Sequence, residues 1–168
     1  PEIFARYCSK VVSEFGDLCH FYSTINEPNV YATHGYLYGA WPPFKRGKIL
    51  WKKIGKEDGT SELTGAKARF FHVLTYFKVA KILARAHNAA YCAIKKVNAS
   101  VDVSIVKHVH YFHADDRFFN RVHARIMIYF QTHAYMKKIS AHLDSIGLNY
   151  YRHTMYGDVR NYLRSDMD

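Results

Sequence analysis

Thr24-Ile25-Asn26-Glu27-Pro28 is the stretch that decides the fold, because it is a short β-prone run that ends in an amide, a carboxylate and a proline. Proline disfavours the helical region for the residue before it and suits the first position of a helix. We therefore expect Glu27 at a junction where a strand ends and a helix begins. In α/β sheets the side chains at the carboxyl ends of the strands face the ligand crevice, where an Asn and a Glu can bind a hydroxyl group and exchange a proton.

Hydrophobic periodicity predicts that helices and strands alternate around this stretch. Gly16 ends the first amphipathic pattern, and the glycines and prolines between residues 39 and 61 predict a long surface loop. The predicted elements are a helix over 2–16, a strand over 18–27, a helix over 29–38, a helix over 61–97, a strand from Val101 toward Tyr111, a helix over 119–136 and a strand over 145–151.

This alternation predicts the α/β class, with a parallel sheet built from right-handed crossovers. About three strands are visible, whereas a closed eightfold barrel needs roughly 250 residues. A barrel would therefore need neighbouring strands on both sides of this chain.

The composition fits one globular domain, since 49% of the 168 residues are hydrophobic. The chain begins with proline and shows no charged leader before an apolar run, so we expect a piece of a longer protein without a secretory signal. No apolar run approaches the roughly 20 residues that span a bilayer, so we expect no membrane partner. Cys8, Cys19 and Cys92 lack paired metal spacing, which favours a reduced, cytoplasmic setting.

The formal net charge of +10 leaves two interpretations open. Lysines and arginines scattered along helices are typical of a solvated surface, and no recognised nucleic-acid motif accompanies them, so we favour a solvated surface over a nucleic-acid partner. The alternative is a non-catalytic basic module that binds nucleic acid or another polyanion.

Two separate motifs, in the same order, resemble family 1 glycoside hydrolases, the β-glucosidase and β-galactosidase family. Residues 22–28 match Trp-x-Thr-x-Asn-Glu-Pro with Tyr22 in place of Trp, and residues 144–151 match Asp-Phe-Ile-Gly-Leu-Asn-Tyr-Tyr with Ser145 in place of Phe. Residues 35–43 and 86–91 are similar to the family's entrance loop and its helix with a His-Asn pair. The resemblance implies that residues 1–168 form one partial domain from the centre of a (β/α)8 TIM barrel, with about three parallel strands and the loop 39–61.

The resemblance also implies a retaining β-glycosidase that hydrolyses terminal β-linked O-glycosides or oligosaccharides, without a cofactor. Glu27 would be the general acid and then the base, and Asn26 would bind the 2-hydroxyl of the sugar. Tyr151 would hydrogen-bond the nucleophilic carboxylate, and Asn149 would line the same pocket. For Trp41 two interpretations are equally open, namely stacking on a sugar at the entrance and anchoring the loop.

The nucleophile is missing from this sequence, because nothing after Tyr151 matches the family's Thr-Glu-Asn-Gly segment. We therefore expect the 168-residue chain to be inactive alone. His108 and His110 share a strand face at a spacing that suits zinc, but polar surface histidines are the favoured interpretation and no metal is implied.

Overall fold

A computed structural model describes residues 1–45 and 65–157 of this chain. Within these ranges the predicted order of helices and strands is confirmed. No helix in the described part of the chain has the length and apolarity needed to cross a membrane. The elements are α1 (Glu2–Phe15), β1 (Phe21–Asn26), α2 (Pro28–Ala32), α3 (Gly65–Val97), β2 (Asp102–Ala114), α4 (Phe118–Ile128) and β3 (Ser145–Tyr156).

Three details of the boundaries differ from the sequence prediction. β1 begins at Phe21, three residues later than predicted, while β2 and β3 extend further, to Ala114 and Tyr156. The helices after β1 and β2 each pass into a π-helical turn, Thr33–Leu37 after α2 and Tyr129–His133 after α4. The predicted loop beyond residue 45 and the predicted helix start at Ser61 lie outside the described residues.

The strands form one sheet in the order β1-β2-β3, and both pairs are parallel. α3 connects β1 to β2, and α4 with its π-helical turn connects β2 to β3. In the described residues β1 and β3 each pair on one side only, so the sheet is not closed. The predicted α/β class, with three parallel strands in a sheet that is not closed, is confirmed.

The helices cover one face of this sheet and form two apolar clusters with it. One cluster joins α1 and α3 to the start of β2, and the other joins α3 to Ile105 and the segment after α4. Fully burying each aliphatic side chain contributes roughly 1.5–3 kcal/mol. The clusters consist of Cys8, Val12, Ala90, Ile94, Val101 and Val103, and of Ala80, Ala84, Ile105, Tyr135 and Ile139.

A bulge near the end of β1 changes the direction of Asn26. Ser23 pairs with Ser104 and Asn26 pairs with Val106, so three residues of β1 span two residues of β2. Because Ser104 and Val106 share one face of β2, Ser23 and Asn26 share that face as well. Strict alternation along β1 would have turned Asn26 toward the helices. We call the side of the sheet away from the helices the open face, formed by Ser23, Asn26, Ser104, Val106, His108, Asn149 and Tyr151.

A buried histidine of α3 connects three parts of the fold. His87 has no accessible surface, and its Nδ1 lies 2.6 Å from the Thr24 hydroxyl of β1. Its Nε2 lies 2.6 Å from the carbonyl oxygen of His142, which precedes β3. A carbonyl only accepts, so Nε2 carries a proton and the neutral ring accepts from Thr24 at Nδ1. Burial lowers the pKa of His87 and favours this neutral form.

Candidate active site

Glu27 stands at the strand-to-helix junction that the sequence predicted, but in a backbone conformation that the sequence did not reveal. Its φ and ψ are 47° and 55°, in the left-handed region, which costs a non-glycine residue roughly 1–2 kcal/mol. Its N–H donates to the Val106 carbonyl of β2 at 2.7 Å, and its own carbonyl accepts from Val30 and Tyr31 of α2 at 2.9 and 3.0 Å. These bonds on both sides fix the backbone in a conformation that it would otherwise avoid.

The side chain of Glu27 contacts a strand that is not its neighbour. Asn149 of β3 donates from Nδ2 to Glu27 Oε1 at 2.8 Å, although β2 lies between β1 and β3. Glu27 is half-buried, and among the described residues this is its one side-chain hydrogen bond. The second carboxyl oxygen is therefore left for a proton or a ligand.

The other predicted site residues, Asn26, Tyr151 and Trp41, differ in their position relative to Glu27 and Asn149. Asn26 is exposed on the open face beside Glu27. Tyr151 is 69% exposed, and its ring stacks on His108 with the centroids 5.6 Å apart. Trp41 lies after α2 and stacks on His34 at 4.5 Å, with 51% of its surface exposed. The structure thus brings Glu27 and Asn149 into contact, places Asn26 and Tyr151 on the same face, and anchors Trp41 on its own segment.

His108 belongs to this site, although the sequence suggested only a shared strand face with His110. It is opposite Asn149 in the register of β2 and β3, and Tyr151 stacks on its ring. His110 lies on the same face of β2, and its Nε2 is 2.7 Å from the Thr154 hydroxyl. Within residues 1–45 and 65–157, no group of three His, Cys, Asp or Glu side chains is arranged to hold a metal ion.

Lys107 is a second residue near the site that the sequence analysis missed. It has no accessible surface and lies on the helix-covered face of β2, and its Nζ donates to the carbonyl oxygens of His108 and Gln131 at 2.8 and 2.7 Å. Burial lowers its pKa to about 8, while the negative charge of Glu27 partly opposes that change. The sequence does contain a sign of this burial, because Lys107 occupies the next position after Val103 and Ile105 on the apolar face of the predicted strand.

Comparisons with known proteins identify the family and the fold of this chain. The sequence pattern of glycosyl hydrolase family 1 matches residues 2–165. The fold is similar to Fpglu1 from Fervidobacterium pennivoraus with a TM-score of 0.67 and 25% identity, covering 90% of this chain and 27% of that one. It is similar to a β-glucosidase from Thermotoga maritima, solved with deoxynojirimycin, with a TM-score of 0.63 and 23% identity, covering 90% and 35%.

A hyperthermophilic β-glucosidase mutant gives a TM-score of 0.68 at 22% identity, with 93% of this chain and 30% of that chain covered. This chain thus spans between 27% and 35% of the length of the three structures. Its three-stranded sheet corresponds to a portion of a TIM-barrel β-glucosidase. Because the family pattern covers nearly all of the sequence, this chain belongs to glycosyl hydrolase family 1.

Proposed function

We propose that this chain supplies the acid/base part of a retaining β-glycosidase that hydrolyses terminal β-linked O-glycosides. One observation carries the proposal: the Glu27 carboxyl group stands at the carboxyl end of β1 and is held from β3 by Asn149. Catalytic groups of α/β barrels lie at this end of the strands. Membership in the family supports β-glycosides as the substrate class.

Each group at the site has a defined task in this reaction. The Glu27 carboxyl group gives its proton to the glycosidic oxygen, and the alcohol leaves as a second carboxylate from outside the described residues bonds to the anomeric carbon. The Glu27 carboxylate then takes a proton from the water that attacks this carbon and displaces the second carboxylate. Asn149 donates to Oε1 and so directs the other oxygen toward the substrate. Asn26 would hold the 2-hydroxyl, a contact that strengthens in the oxocarbenium-like transition state.

The nucleophile must come from outside the described residues. Retention requires a second carboxylate roughly 5–5.5 Å from the acid/base group. Besides Glu27, the described glutamates are Glu2 and Glu14, which are both exposed on α1. Because the sequence has no Thr-Glu-Asn-Gly segment after Tyr151, we expect no turnover from the 168 residues alone, and we expect the intact reading frame to encode such a segment.

The test is a leaving-group series on the intact gene product and its Glu27→Ala variant. For aryl β-glucosides with a weakly acidic phenol, we expect the first step to slow by roughly 10²–10⁴-fold, the usual contribution of a general acid. A 2,4-dinitrophenyl leaving group needs no proton, so its glycosylation step should be nearly unaffected. Glu14→Gln on α1 is the matched control and should behave as the wild type.

Two results would defeat the proposal. One is an equal loss for every leaving group, which would show that Glu27 has a structural role only. The other is an intact reading frame without any carboxylate segment that could act as the nucleophile.

A second candidate function is polyanion binding, and the distribution of charge favours it. Neither α3 nor residues 117–143 contain a single Asp or Glu. Lys81 and Arg85 on α3 and Arg121 and Arg125 on α4 are exposed, and none belongs to an ion pair within the described residues. Asn88 of α3 donates to the Lys138 carbonyl at 3.0 Å, so the two basic segments lie side by side.

Fluorescence anisotropy with a labelled 20-nucleotide RNA over a salt series tests this candidate. If the basic helices bind phosphates, Arg121→Gln with Arg125→Gln should reduce the slope of log K against log salt by roughly 1.4, or about 0.7 for each lost contact to a single strand. Arg6→Gln with Lys10→Gln removes the same charge from α1 and should not change the slope. Weak, salt-insensitive binding by the wild type would exclude this function.

A further inference from the structure

Two exposed stripes of side chains, one on α3 and one on α4, each combine an aromatic ring with two cations. The stripes are Phe77, Lys81 and Arg85 on α3, and Arg121, Arg125 and Tyr129 on α4 with its π-helical turn. Successive members are four residues apart, a spacing that puts side chains on one face of a helix. The Tyr129 N–H donates to the Arg125 carbonyl, so this spacing extends to the ring at the end of α4.

The aromatic ends of the two stripes meet through Phe130. The centroid of its ring lies 5.5 Å from that of Phe77, at an interplanar angle of 59°, and 5.4 Å from that of Tyr129, at 76°. Neither pair stacks face to face, and Phe77, Tyr129 and Phe130 are 36%, 43% and 40% exposed. We call these three residues the ring cluster, and part of its ring surface is open to a flat ligand.

Cations lie on both sides of the ring cluster along the helices. The segment after α4 runs beside α3 in the same direction, since Phe130 contacts Phe77 and the Lys138 carbonyl accepts from Asn88. The outermost cation of each stripe is eight residues from its ring, or roughly 12 Å at the rise of an α-helix. The cations before the rings are Arg121 and Arg125, and those after them are Lys81 and Arg85.

Charge and ring surface are mixed on this face of the protein, which distinguishes it from a membrane anchor. The Lys137 Nζ lies 5.3 Å from the centroid of the Tyr129 ring, so one cation is directly beside the ring cluster. Helices that lie on a bilayer separate an apolar face from a charged face, whereas each stripe here carries both kinds of residue. Rings that alternate with cations suit a ligand whose flat groups and negative charges also alternate.

We propose that the ring cluster and its flanking cations bind a single-stranded nucleic acid, with bases stacked on the rings and phosphates paired with the lysines and arginines. The inference deepens the second candidate function and rests on it. A duplex keeps its bases stacked on one another, so it offers only phosphates to this surface. The ring cluster belongs to the helix layer, on the other side of the sheet from the open face, so such binding leaves the Glu27 site free.

The test measures binding of the intact gene product to a labelled 20-nucleotide RNA and to a 20-base-pair duplex of the same sequence, by fluorescence anisotropy. Tyr129→Leu with Phe130→Leu removes two rings and no charge. We expect single-strand affinity to fall by at least roughly 5-fold for each ring that carries a base. The slope of log K against log salt and the affinity for the duplex should both stay the same.

Two further variants make this result specific. Tyr7→Leu with Phe15→Leu removes an exposed tyrosine and an exposed phenylalanine from α1, and it should bind the RNA as the wild type does. Tyr129→Trp keeps a ring at the cluster and should retain the affinity. The added tryptophan fluorescence should be quenched by the RNA, whose bases stack on it, and not by polyphosphate, which has no bases.

The outcomes separate the failure of this inference from the failure of the second candidate function. Absence of salt-dependent binding by the wild type rejects both. Unchanged single-strand affinity in Tyr129→Leu with Phe130→Leu, while Arg121→Gln with Arg125→Gln still lowers the salt slope, rejects base stacking alone. Equal losses for the RNA and the duplex would reduce the rings to a structural role. Loss of binding to phosphatidylserine vesicles with unchanged RNA affinity would make a membrane the partner and overturn the proposal.

Discussion

Two carboxylates at opposite ends of the sheet are held in opposite ways. Asp144, just before β3, accepts at Oδ2 from the Val103 N–H at 2.9 Å and from Lys95 Nζ at 2.7 Å. Its Oδ1 accepts from the Tyr91 hydroxyl at 3.0 Å. Glu27, at the other end, has a single side-chain hydrogen bond within the described residues, and its backbone is left-handed.

The difference separates a carboxylate that stabilises the fold from the one for which we propose the acid/base role. Partial burial would raise the pKa of Asp144, but the hydrogen bonds from Lys95, Val103 and Tyr91 outweigh it and the pKa is lowered. Both oxygens of Asp144 are thus used to join α3, β2 and β3. Glu27 keeps one oxygen available and a strained backbone, and the proposed acid/base role would use both. In (β/α)8 barrels, residues at the carboxyl ends of the strands carry the chemistry, and residues at the amino ends stabilise the fold.

The largest effect that we expect is on stability at the Asp144 end. Asp144→Ala removes three hydrogen bonds, one of them to a cation, and leaves the buried Val103 N–H without its acceptor, so the free energy of unfolding should fall by about 3 kcal/mol. Urea denaturation of the 168-residue chain measures it. Asp116→Ala, an exposed carboxylate, is the control and should change little. A loss below about 1 kcal/mol for Asp144→Ala would contradict this comparison.

The second effect that we expect is a pH dependence of stability that arises from the buried, neutral His87. Because burial lowers the pKa of His87 below its usual 6.5, the unfolded chain binds the proton first as the pH falls. The contribution of His87 to the free energy of unfolding should therefore have its full value above pH 6.5. Below that pH it should decline, by at most about 1.4 kcal/mol per pH unit. His87→Gln removes this titration. The difference in unfolding free energy between the wild type and His87→Gln should therefore shrink as the pH falls toward the lowered pKa of His87. A difference that is constant with pH would show that His87 does not fold as the neutral ring.

A smaller effect is expected from relieving the strain at Glu27. Asn tolerates the left-handed region and is a preferred residue at the start of a helix, so Glu27→Asn should stabilise the chain by about 1 kcal/mol relative to Glu27→Ala. Thermal unfolding of the two variants provides the measurement. Equal stability would mean that the left-handed conformation carries no strain to relieve.

The smallest effect on stability should come from Glu27→Gln, which keeps an oxygen to accept from Asn149. We expect the free energy of unfolding to change by less than about 1 kcal/mol, since one hydrogen bond of ordinary strength is preserved. If this variant were as destabilised as Asp144→Ala, the division between the two ends of the sheet would be wrong.

The sequence by itself determined the elements and their order. Proline at position 28 fixed the strand-to-helix junction, and alternation along residues 145–151 put Asn149 and Tyr151 on one face. These signals are local, because backbone sterics and side-chain periodicity depend on near neighbours in the chain. The two motifs also identified the family, which the match over residues 2–165 shows.

Only the tertiary structure decided the details of the site. The bulge that turns Asn26 depends on the register with Val106, and the contact between Glu27 and Asn149 joins residues 122 positions apart. The burial of Lys107 depends on the turn after α4, which supplies the Gln131 carbonyl. Such features arise when distant strands and helices pack together, and no local pattern of residues contains the distances that packing sets.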